Sequence, residues 1–267
     1  MLTASLVIYH NPLPEIETVL NCALRSPFEW IYIVDNSCND SLRILEHRSP
    51  KIRYIHNLNT GYIAHNIAIR EAMALGAKYH AVLNPDISFE PETINELIHY
   101  MEAHEDVGWV MPKVIYPDGR LQYLCKLLPT PADLILRRFF PKSWFPKSQK
   151  RFEMRFLDYD TEVDVPYLSG CFMFLRTEVL CKTGLFDEQF FMYAEDIDLS
   201  RRMHAMSRTV YYPAVSIVHA HEGASYKNRR MLYVHIRNIV LYFNKWGWFF
   251  DRERRRANKA VLKRFDH

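Results

Sequence analysis

The sequence lacks both of the common glycine-rich patterns that hold phosphates. No G-x-G-x-x-G follows its first predicted strand, and G-x-x-x-x-G-K-[ST] occurs nowhere in the 267 residues. These absences argue against an ordinary dinucleotide-binding domain and against a P-loop NTPase. A nucleotide would instead need a carboxylate for its base or ribose and a metal ion for its phosphates.

Paired cysteines, a leader and long apolar runs are also missing. The five cysteines are an odd number, and no two of them form a C-x-x-C pair. This favours a reducing compartment over a disulfide framework or a zinc site. We expect no signal peptide, because the N-terminus has neither a basic region nor a cleavage site. No apolar run approaches the roughly 20 residues of a membrane-spanning helix, so we expect a soluble or peripheral protein.

Charge is nearly balanced over the chain but is concentrated in two segments. The net charge of +3 is too small to predict nucleic-acid binding. Residues 227–264 contain twelve Lys or Arg against two acids, and residues 129–155 contain seven against two. The runs 241–256 and 134–147 within them are rich in aromatic residues. This composition is typical of contact with a membrane surface. The alternative is that the aromatics pack on the domain beside a solvated basic face.

Strand and helix patterns alternate through the first hundred residues. Their order predicts an α/β fold with a largely parallel, doubly wound sheet. The second half shows a hairpin signal at Pro117-Asp118-Gly119, a helix pattern at 194–205, and a long helix pattern from about 227 that is broken at Gly247. The remaining predicted elements are strands at 2–9, 31–34, 52–56, 80–83, 107–111, 163–175 and 209–218, and helices ending near 26 and at 40–48, 62–75 and 91–104.

This order also predicts the domain organisation. We expect a catalytic domain over residues 1–225, with a nucleotide-binding half at 1–112 and an acceptor-binding half at 113–225. A basic, aromatic helical segment at 226–267 would follow it.

Polar turns follow three of the predicted strands. They are Asp35-Asn36-Ser37, Asn59-Thr60-Gly61 with Asn66 behind it, and Asn84-Pro85-Asp86. Each alone is an ordinary set of turn formers, but open α/β sheets bind ligands at the carboxyl ends of their strands. Asp86 follows an apolar strand in a turn fixed by proline, which makes it the candidate ligand of a divalent metal. A capping or turn aspartate is the alternative.

Three carboxylates within four residues open the helix predicted at 194–205. The helix dipole explains one acid at such a position, but not Glu195, Asp196 and Asp198 together. A carboxylate held there in a cleft suits a general base. Helical spacing places Glu195, Asp198 and Arg202 on one face and Asp196 on another. Asp196 is therefore the acid expected to act alone on a substrate.

Two smaller motifs complete the candidates. Ser169 and Gly170 precede an apolar strand, where small residues would let a substrate approach the backbone, although a β-bulge explains them equally. His219 and His221 share one strand face. They could bind a metal or a diphosphate, or be ordinary histidines near a turn.

In order and spacing, these motifs resemble family 2 glycosyltransferases with the GT-A fold, over about residues 3–245. The resemblance is strongest to the rhamnosyltransferase-like branch that builds bacterial O-antigen, capsule and related polysaccharides. The most specific part is the run from Gly184 to Asp198. The other parts are Val34–Ser37, Asn59–Tyr62 with Asn66, Leu83–Asp86 and Leu168–Gly170.

The resemblance implies a role for each motif. Asp35 would contact the nucleotide base, Asp86 would hold Mg²⁺ or Mn²⁺ on the donor diphosphate, and Asp196 would deprotonate the acceptor hydroxyl. Transfer would be one direct displacement with inversion. The loop from Asn59 to Asn66, with Gly61, would line the nucleotide pocket. The other candidate site residues are Asn36 and Asn84 for the nucleotide-sugar, Ser169 and Gly170 for the acceptor, Glu195 and Asp198 in support of the base, and, from its strand face alone, His219 as a second metal ligand.

The resemblance also implies partners and a location. The donor would be a nucleotide-diphosphate sugar such as dTDP-rhamnose or a UDP-sugar, and the acceptor a lipid-linked glycan. The enzyme would be cytoplasmic and peripheral on the inner face of the plasma membrane, with no nucleic acid involved. Two positions depart from the family pattern: Asn84 stands where an aspartate is usual, and Cys38 stands where a serine is usual.

The residues alone are also compatible with two other functions. A non-catalytic, membrane-docked glycan-binding scaffold with a decayed transferase domain draws support from Asn84. A nucleotidyltransferase would use a similar sheet. It usually carries a basic, glycine-rich loop after the first strand, and residues 6–14 contain none.

Overall fold

The computed structural model of the chain describes residues 1–139, 144, 146–220 and 229–265. Its strands are β1 (Leu2–Ile8), β2 (Trp30–Asp35), β3 (Ile52–His56), β4 (Tyr79–Leu83), β5 (Ile87–Ser88), β6 (Val107–Ile115), β7 (Cys125–Lys126), β8 (Val163–Asp164), β9 (Tyr167–Leu168), β10 (Phe172–Arg176) and β11 (Arg208–His219). Its helices are α1 (Leu13–Arg25), α2 (His65–Ala74), α3 (Pro91–Ala103), α4 (Pro131–Phe139), α5 (Pro146–Phe152), α6 (Thr177–Thr183), α7 (Glu195–His204), α8 (Arg229–Trp246) and α9 (Arg252–Leu262).

The main sheet has the strand order β3-β2-β1-β4-β10-β6-β11-β5, and β8 pairs with β11. Strands β3, β2, β1 and β4 are parallel, as are β6 and β11, and β10 is antiparallel to both of its neighbours. Helices flank this mostly parallel sheet, as the alternating patterns predicted. All residues of the central strands β4 and β10 are buried, which is typical of strands covered on both faces.

The strand directions decide where the polar turns lie. Because β10 reverses direction between β4 and β6, the strands β1 to β4, β6 and β11 all point the same way. Their carboxyl ends therefore lie along one edge of the sheet. Asp35 ends β2, Asn84 follows β4, and His219 ends β11 at this edge.

The structure also departs from the sequence predictions in several places. The helix predicted at 40–48 is a 3₁₀ helix over Arg43–Arg48. The hairpin at 117–119 is a turn closed by a bridge between Ile115 and Leu121. The helices α4, α5 and α6 were not predicted. Helices α4 and α5 each begin at a proline, which fits the first position of a helix, but the prolines of this segment favour a loop from sequence alone.

The C-terminal helices are fastened to α7 by a buried ion pair. The Arg201 guanidinium donates to both carboxylate oxygens of Asp251 at 2.6 and 2.7 Å, and both side chains are only 2% exposed. Arg201 also bonds Glu253 at 2.9 Å and lies 4.0 Å over the ring of Trp246. Helices α8 and α9 therefore pack on the helix that carries Asp196. The division predicted at residue 225 stays a prediction.

Within the described residues, no helix combines the length and the apolar character that crossing a bilayer requires. The break predicted at Gly247 is confirmed, since it separates α8 from α9 with φ at 98°.

Candidate active site

The carboxylate of Asp35, at the end of β2, is held by hydrogen bonds from neighbouring residues. Asp35 is fully buried. It accepts hydrogen bonds from the Tyr54 hydroxyl at 2.6 Å and from the Ser37 amide at 2.8 Å. Burial and the nearby Asp35 carboxylate raise the pKa of Tyr54, so its hydroxyl stays a donor. Sequence reasoning did not single out Tyr54, because only the pairing of β2 with β3 brings it to Asp35.

Asparagines join the loops that follow β2 and β3. The Asn36 amide donates to the Gly61 carbonyl at 3.0 Å, and the Asn57 amide donates to the Asn36 side-chain oxygen at 2.8 Å. The Asn59 side-chain oxygen accepts from the Gly61 amide at 3.1 Å. Asn36, Asn59 and Gly61 thus form one polar rim next to Asp35. Asn57 was missed, although its place directly after β3 is the same signal that pointed to Asn84.

Gly61 brings this rim against the loop that leads into α7. Its φ is +79°, and a Cβ atom there would lie 1.9 Å from the Phe191 carbonyl oxygen. The next amide, of Tyr62, donates to the same oxygen at 2.8 Å. Only glycine combines this backbone conformation with so close an approach.

Gly61→Ala is expected to destabilise the protein more than Gly76→Ala, a matched control with a φ of +73° and no atom near its missing side chain. Gly76→Ala should lower the free energy of unfolding by about 1–2 kcal/mol, because alanine disfavours the left-handed backbone conformation. Gly61→Ala should cost about 1–3 kcal/mol more, because the methyl group must displace a backbone carbonyl. Urea unfolding measures both, and equal losses would contradict the close approach.

Asp86 lies next to His219 at the sheet edge. The short strand β5 pairs Ile87 with His219, which sets Asp86 beside the imidazole. The distance from His219 Nε2 to Asp86 Oδ2 is 3.3 Å, and His219 Nδ1 lies 2.9 Å from the Gln122 side-chain oxygen. Burial lowers the pKa of His219, but hydrogen bonds to Asp86 and Cys171 raise it to about 10.

The donor set of this pair fits a divalent cation that is also bound by its substrate. Asp86 offers carboxylate oxygen, and Gln122 fixes the ring of His219 as an outer partner would. Because the pKa of His219 is raised, a cation would have to displace the proton on Nε2 before that nitrogen could bind it. Across the parts of the chain that are described, no cluster of three or more His, Cys, Asp or Glu could hold a metal. Mg²⁺ typically takes one or two carboxylates and completes its shell with phosphate oxygens and water. His221, the other candidate histidine, lies outside the described residues.

The candidate base, Asp196, is oriented by three donors at the start of α7. Its carboxylate accepts from the Ile197 amide at 2.8 Å, the Tyr167 hydroxyl at 3.2 Å and the Gly170 amide at 3.3 Å. Burial raises the pKa of Asp196, and the positive charge of Lys126 and these hydrogen bonds partly oppose the rise. A carboxylate with a raised pKa is a stronger base than an exposed aspartate.

Glu195 places a second carboxyl group beside Asp196. It is 5% exposed, and within the described residues its Oε2 atom makes no hydrogen bond. Burial and the Asp196 charge raise the pKa of Glu195 well above its ordinary value. Both acids follow a strained turn, since Tyr193 and Ala194 have φ near +70°. Such backbone strain costs about 1–3 kcal/mol per residue and is concentrated at functional sites.

Tyr62 is close to two groups of acids, which are Asp86 after β4 and Glu195 with Asp196 at the start of α7. Its hydroxyl donates to the Gly170 carbonyl. Burial raises its pKa well above the usual value, and the charges of Glu195, Asp196 and Asp86 add to the rise. The phenol therefore lies within electrostatic reach of both the Asp86 turn and the start of α7. Hydrogen bonds also join the two groups, since the Gly170 amide donates to Asp196 and the next residue, Cys171, accepts from the Asn84 amide of the Asp86 turn.

A cavity of about 210 Å³ opens beside Asp196. Lys126 and Tyr167 form one wall, and the Lys126 ammonium lies 4.8 Å from the centre of the Tyr167 ring. Aromatic rings with a few charged groups suit a sugar. The other lining residues are Asp133, Leu134, Phe152, Tyr193, Ala194, Glu195, Ile197, His235 and Ile239. Sequence reasoning missed Lys126, whose short strand β7 carries no motif.

The family model for glycosyltransferase like family 2 matches residues 15–233. The chain belongs to this family. It is 25% identical over 230 residues to the N-acetylglucosaminyl-diphospho-decaprenol L-rhamnosyltransferase of Mycobacterium tuberculosis, covering 79% of this chain and 74% of that protein. It is 27% identical over 172 residues, 61% of each chain, to the rhamnosyltransferase WbbL of Escherichia coli. The predicted family and its rhamnosyltransferase-like relatives are confirmed.

Solved glycosyltransferase structures share the fold. GalNAc-T7 with UDP, GalNAc and Mn²⁺ gives a TM-score of 0.65 at 12% identity over 92% of this chain, which spans about half of that protein (48%). The S. aureus TarS complex with UDP gives a TM-score of 0.59 at 14% identity, covering 99% of this chain and 71% of that one. These neighbours have the GT-A fold, which confirms the predicted fold class.

In this family 2 glycosyltransferase, two of the residues expected at the site are held in other contacts. Both ends of the Asn66 amide bond the backbone of Phe186, at 2.8 and 3.1 Å. The fully buried carboxylate of Asp198 is bonded to Arg202, Lys245 and Trp246 at 2.7 to 2.8 Å. Neither lines the cavity beside Asp196. Their contacts fasten α2 and α8 to the loop and helix that carry the acids.

The remaining candidates stay close to the site. Ser169 is half-buried beside Gly170. Gly170 touches the site through both its amide and its carbonyl. The Asn84 amide donates to the Cys171 carbonyl at 3.1 Å, which joins the Asp86 turn to the strand that follows Gly170.

Proposed function

We propose that this glycosyltransferase moves a sugar, with rhamnose as the first choice, from a nucleotide-diphosphate donor to a lipid-linked glycan with inversion. The single observation that carries the proposal is that Asp196 and the Asp86 turn are bonded to adjacent residues: the Gly170 amide donates to Asp196 at 3.3 Å, and the Cys171 carbonyl accepts from the Asn84 amide at 3.1 Å. This arrangement can place a donor diphosphate and an acceptor hydroxyl on opposite sides of one anomeric carbon. The relatives named as rhamnosyltransferases support the choice of rhamnose. We propose that the product belongs to a surface polysaccharide such as O-antigen or capsule.

The donor would lie along the sheet edge. We assign the nucleotide to the rim formed by Asp35, Asn36, Asn59 and Gly61, with Asn84 next to the diphosphate. Asp86 and His219 would hold Mg²⁺ or Mn²⁺, and the bound ion would neutralise charge on the leaving diphosphate. The Mn²⁺ in the GalNAc-T7 structure is in keeping with this assignment.

Asp196 would act as the general base. Its carboxylate takes the proton of the acceptor hydroxyl while that oxygen forms a bond to the anomeric carbon and the bond to the diphosphate breaks. The donors from Tyr167, Gly170 and Ile197 aim the carboxylate at the cavity. Because protonated Asp196 cannot accept a second proton, transfer should decline as pH falls through its raised pKa.

The cavity beside Asp196 would take the acceptor sugar. Glu195 lines it beside the base. We also assign Ser169 and Gly170 to the acceptor, because they directly precede β10 and the Gly170 amide donates to Asp196. The mycobacterial relative is named for an acceptor on diphospho-decaprenol. We propose a lipid-linked acceptor for this chain too, reached from the cytoplasmic side of the plasma membrane.

Asp86→Ala is expected to remove the metal-dependent part of donor affinity. Loss of an outer-shell partner lowers metal affinity by about 10- to 100-fold. Loss of the ligand itself should lower the metal-dependent donor affinity by at least as much. Calorimetry with dTDP-rhamnose and UDP-sugars, with and without Mn²⁺, measures it. Asp106→Ala is the control, since Asp106 is exposed and directly precedes β6, at the opposite edge of the sheet. Equal affinities with and without metal would refute the assignment, and no nucleoside diphosphate released from any donor would favour the non-catalytic scaffold.

A further inference from the structure

The turn between α8 and α9 presents two neighbouring phenylalanines to solvent. Phe249 is 71% exposed and Phe250 is 89% exposed. The turn is ordered by its own contacts, because the Gly247 amide donates to the Phe243 carbonyl at 2.8 Å and the Trp248 indole donates to Asn244 at 2.8 Å. Two adjacent phenyl groups held out by a well-bonded turn indicate contact with something apolar.

The helix that follows this turn is strongly basic on its exposed side. Arg252, Arg255, Arg256 and Lys259 are all exposed. The two acids at the start of α9, Asp251 and Glu253, are both bound by Arg201. The phenylalanines therefore sit at the edge of a positive surface, which complements a negatively charged partner.

The outer face of α8 carries further exposed apolar residues. Tyr233, Ile236 and Val240 are exposed large apolar residues with spacings of three and four, so they form one stripe along the helix. On its inner side, the same helix lines the cavity beside Asp196 through His235 and Ile239. One face of α8 thus contacts the candidate acceptor site, and another is apolar and exposed.

We propose that the α8–α9 turn and the outer stripe of α8 form the docking surface for an anionic lipid bilayer, with Phe249 and Phe250 inserted and the arginines of α9 on the headgroups. A bilayer satisfies both features at once, because its interface accepts aromatic rings and its negative surface attracts Arg and Lys. A nucleic acid would use the charge without the apolar stripe. The proposal rests on the proposed function for its purpose, since a lipid-linked acceptor lies in such a bilayer.

The ion pairs of the C-terminal helices give this docking a defined orientation. Arg201 holds the start of α9 to α7, and Lys245 and Trp246 hold the end of α8 to Asp198. These contacts join the proposed docking surface directly to the helix that carries Asp196. Binding to the bilayer would set the cavity at a fixed height and angle relative to the lipid headgroups.

The test uses the full chain and two kinds of vesicle, phosphatidylcholine alone and an equimolar mixture with phosphatidylglycerol. The unmodified protein should sediment with the anionic vesicles, less with the neutral ones, and less in high salt. The double variant Phe249→Ser with Phe250→Ser should lose roughly tenfold in vesicle affinity. The matched control, Ile44→Ser with Met206→Ser, removes two exposed apolar side chains elsewhere and should bind like the unmodified protein.

Sugar transfer to a water-soluble acceptor analogue, measured in parallel, separates the two proposals. The Phe249 and Phe250 variant should keep this transfer while it loses vesicle binding. Vesicle binding that is equal for both double variants would overturn the docking surface, as would preference for an oligonucleotide over anionic vesicles. Vesicle binding as expected, with no transfer from any donor, would leave docking intact and refute the proposed function.

Discussion

Asp196→Asn is expected to lower the rate of transfer by about 10²- to 10⁴-fold, the usual contribution of a general base, and to leave donor binding unchanged. The amide keeps the shape of the carboxylate but only one of its two oxygens, so it can accept from the Ile197 amide or from the Gly170 amide and not from both. It cannot accept the proton of the acceptor hydroxyl. Initial rates of sugar transfer, together with calorimetric donor affinity, measure the two effects separately.

The control for this variant is Glu188→Gln, which neutralises an exposed acid that pairs with Arg70. It should transfer at the normal rate. The unmodified enzyme should also lose activity as pH is lowered through the raised pKa of Asp196, since the base must be ionised. Transfer by Asp196→Asn close to the unmodified rate would exclude Asp196 as the base and direct attention to Glu195.

Arg201→Ala is expected to lower the free energy of unfolding by about 3–5 kcal/mol, the usual cost of breaking a buried ion pair on one side. It leaves Asp251 buried without its main partner. Although burial opposes it, Arg201 holds the pKa of Asp251 below its ordinary value, which shows that the carboxylate depends on this charge. Urea unfolding followed by circular dichroism gives the change directly.

A surface ion pair provides the comparison for Arg201. Lys182 bonds Glu178 one turn away on α6, and both side chains are mostly exposed. Lys182→Ala should change stability by only about 0.3–0.5 kcal/mol. A cost for Arg201→Ala as small as that of Lys182→Ala would mean that α9 is held to α7 by apolar packing rather than by this pair.

Much of the fold could be read from the sequence because its strands are short, apolar and followed by polar turns. Asp35, Asn84 and Asp86 were singled out on this basis, and the parallel strands place them at one edge. Glu195 and Asp196 were found because three acids at a helix start exceed what the helix dipole explains. These signals are local, so a single sequence can carry them.

The contacts of Asn66 and Asp198 are made with partners that lie far away in the chain. Asn66 bonds Phe186, 120 residues later, and Asp198 bonds Trp246, 48 residues later. Neither pairing has a local signature, and an asparagine or aspartate near a motif looks the same whether it faces a ligand or a neighbouring helix. Tyr54 and Lys126 were missed for the same reason, since strand pairing alone brings them to Asp35 and Asp196.

The contacts between the C-terminal helices and α7 limit which segments of this enzyme can be exchanged. The family match ends at residue 233, inside α8, while Lys245, Trp246 and Asp251 all lie beyond it. The part of the chain beyond the family match thus also braces the helix that carries Asp196. Exchanging it for the tail of another glycosyltransferase, in order to change acceptor preference, would work only if Arg201 and Asp198 were exchanged with it as a matched set.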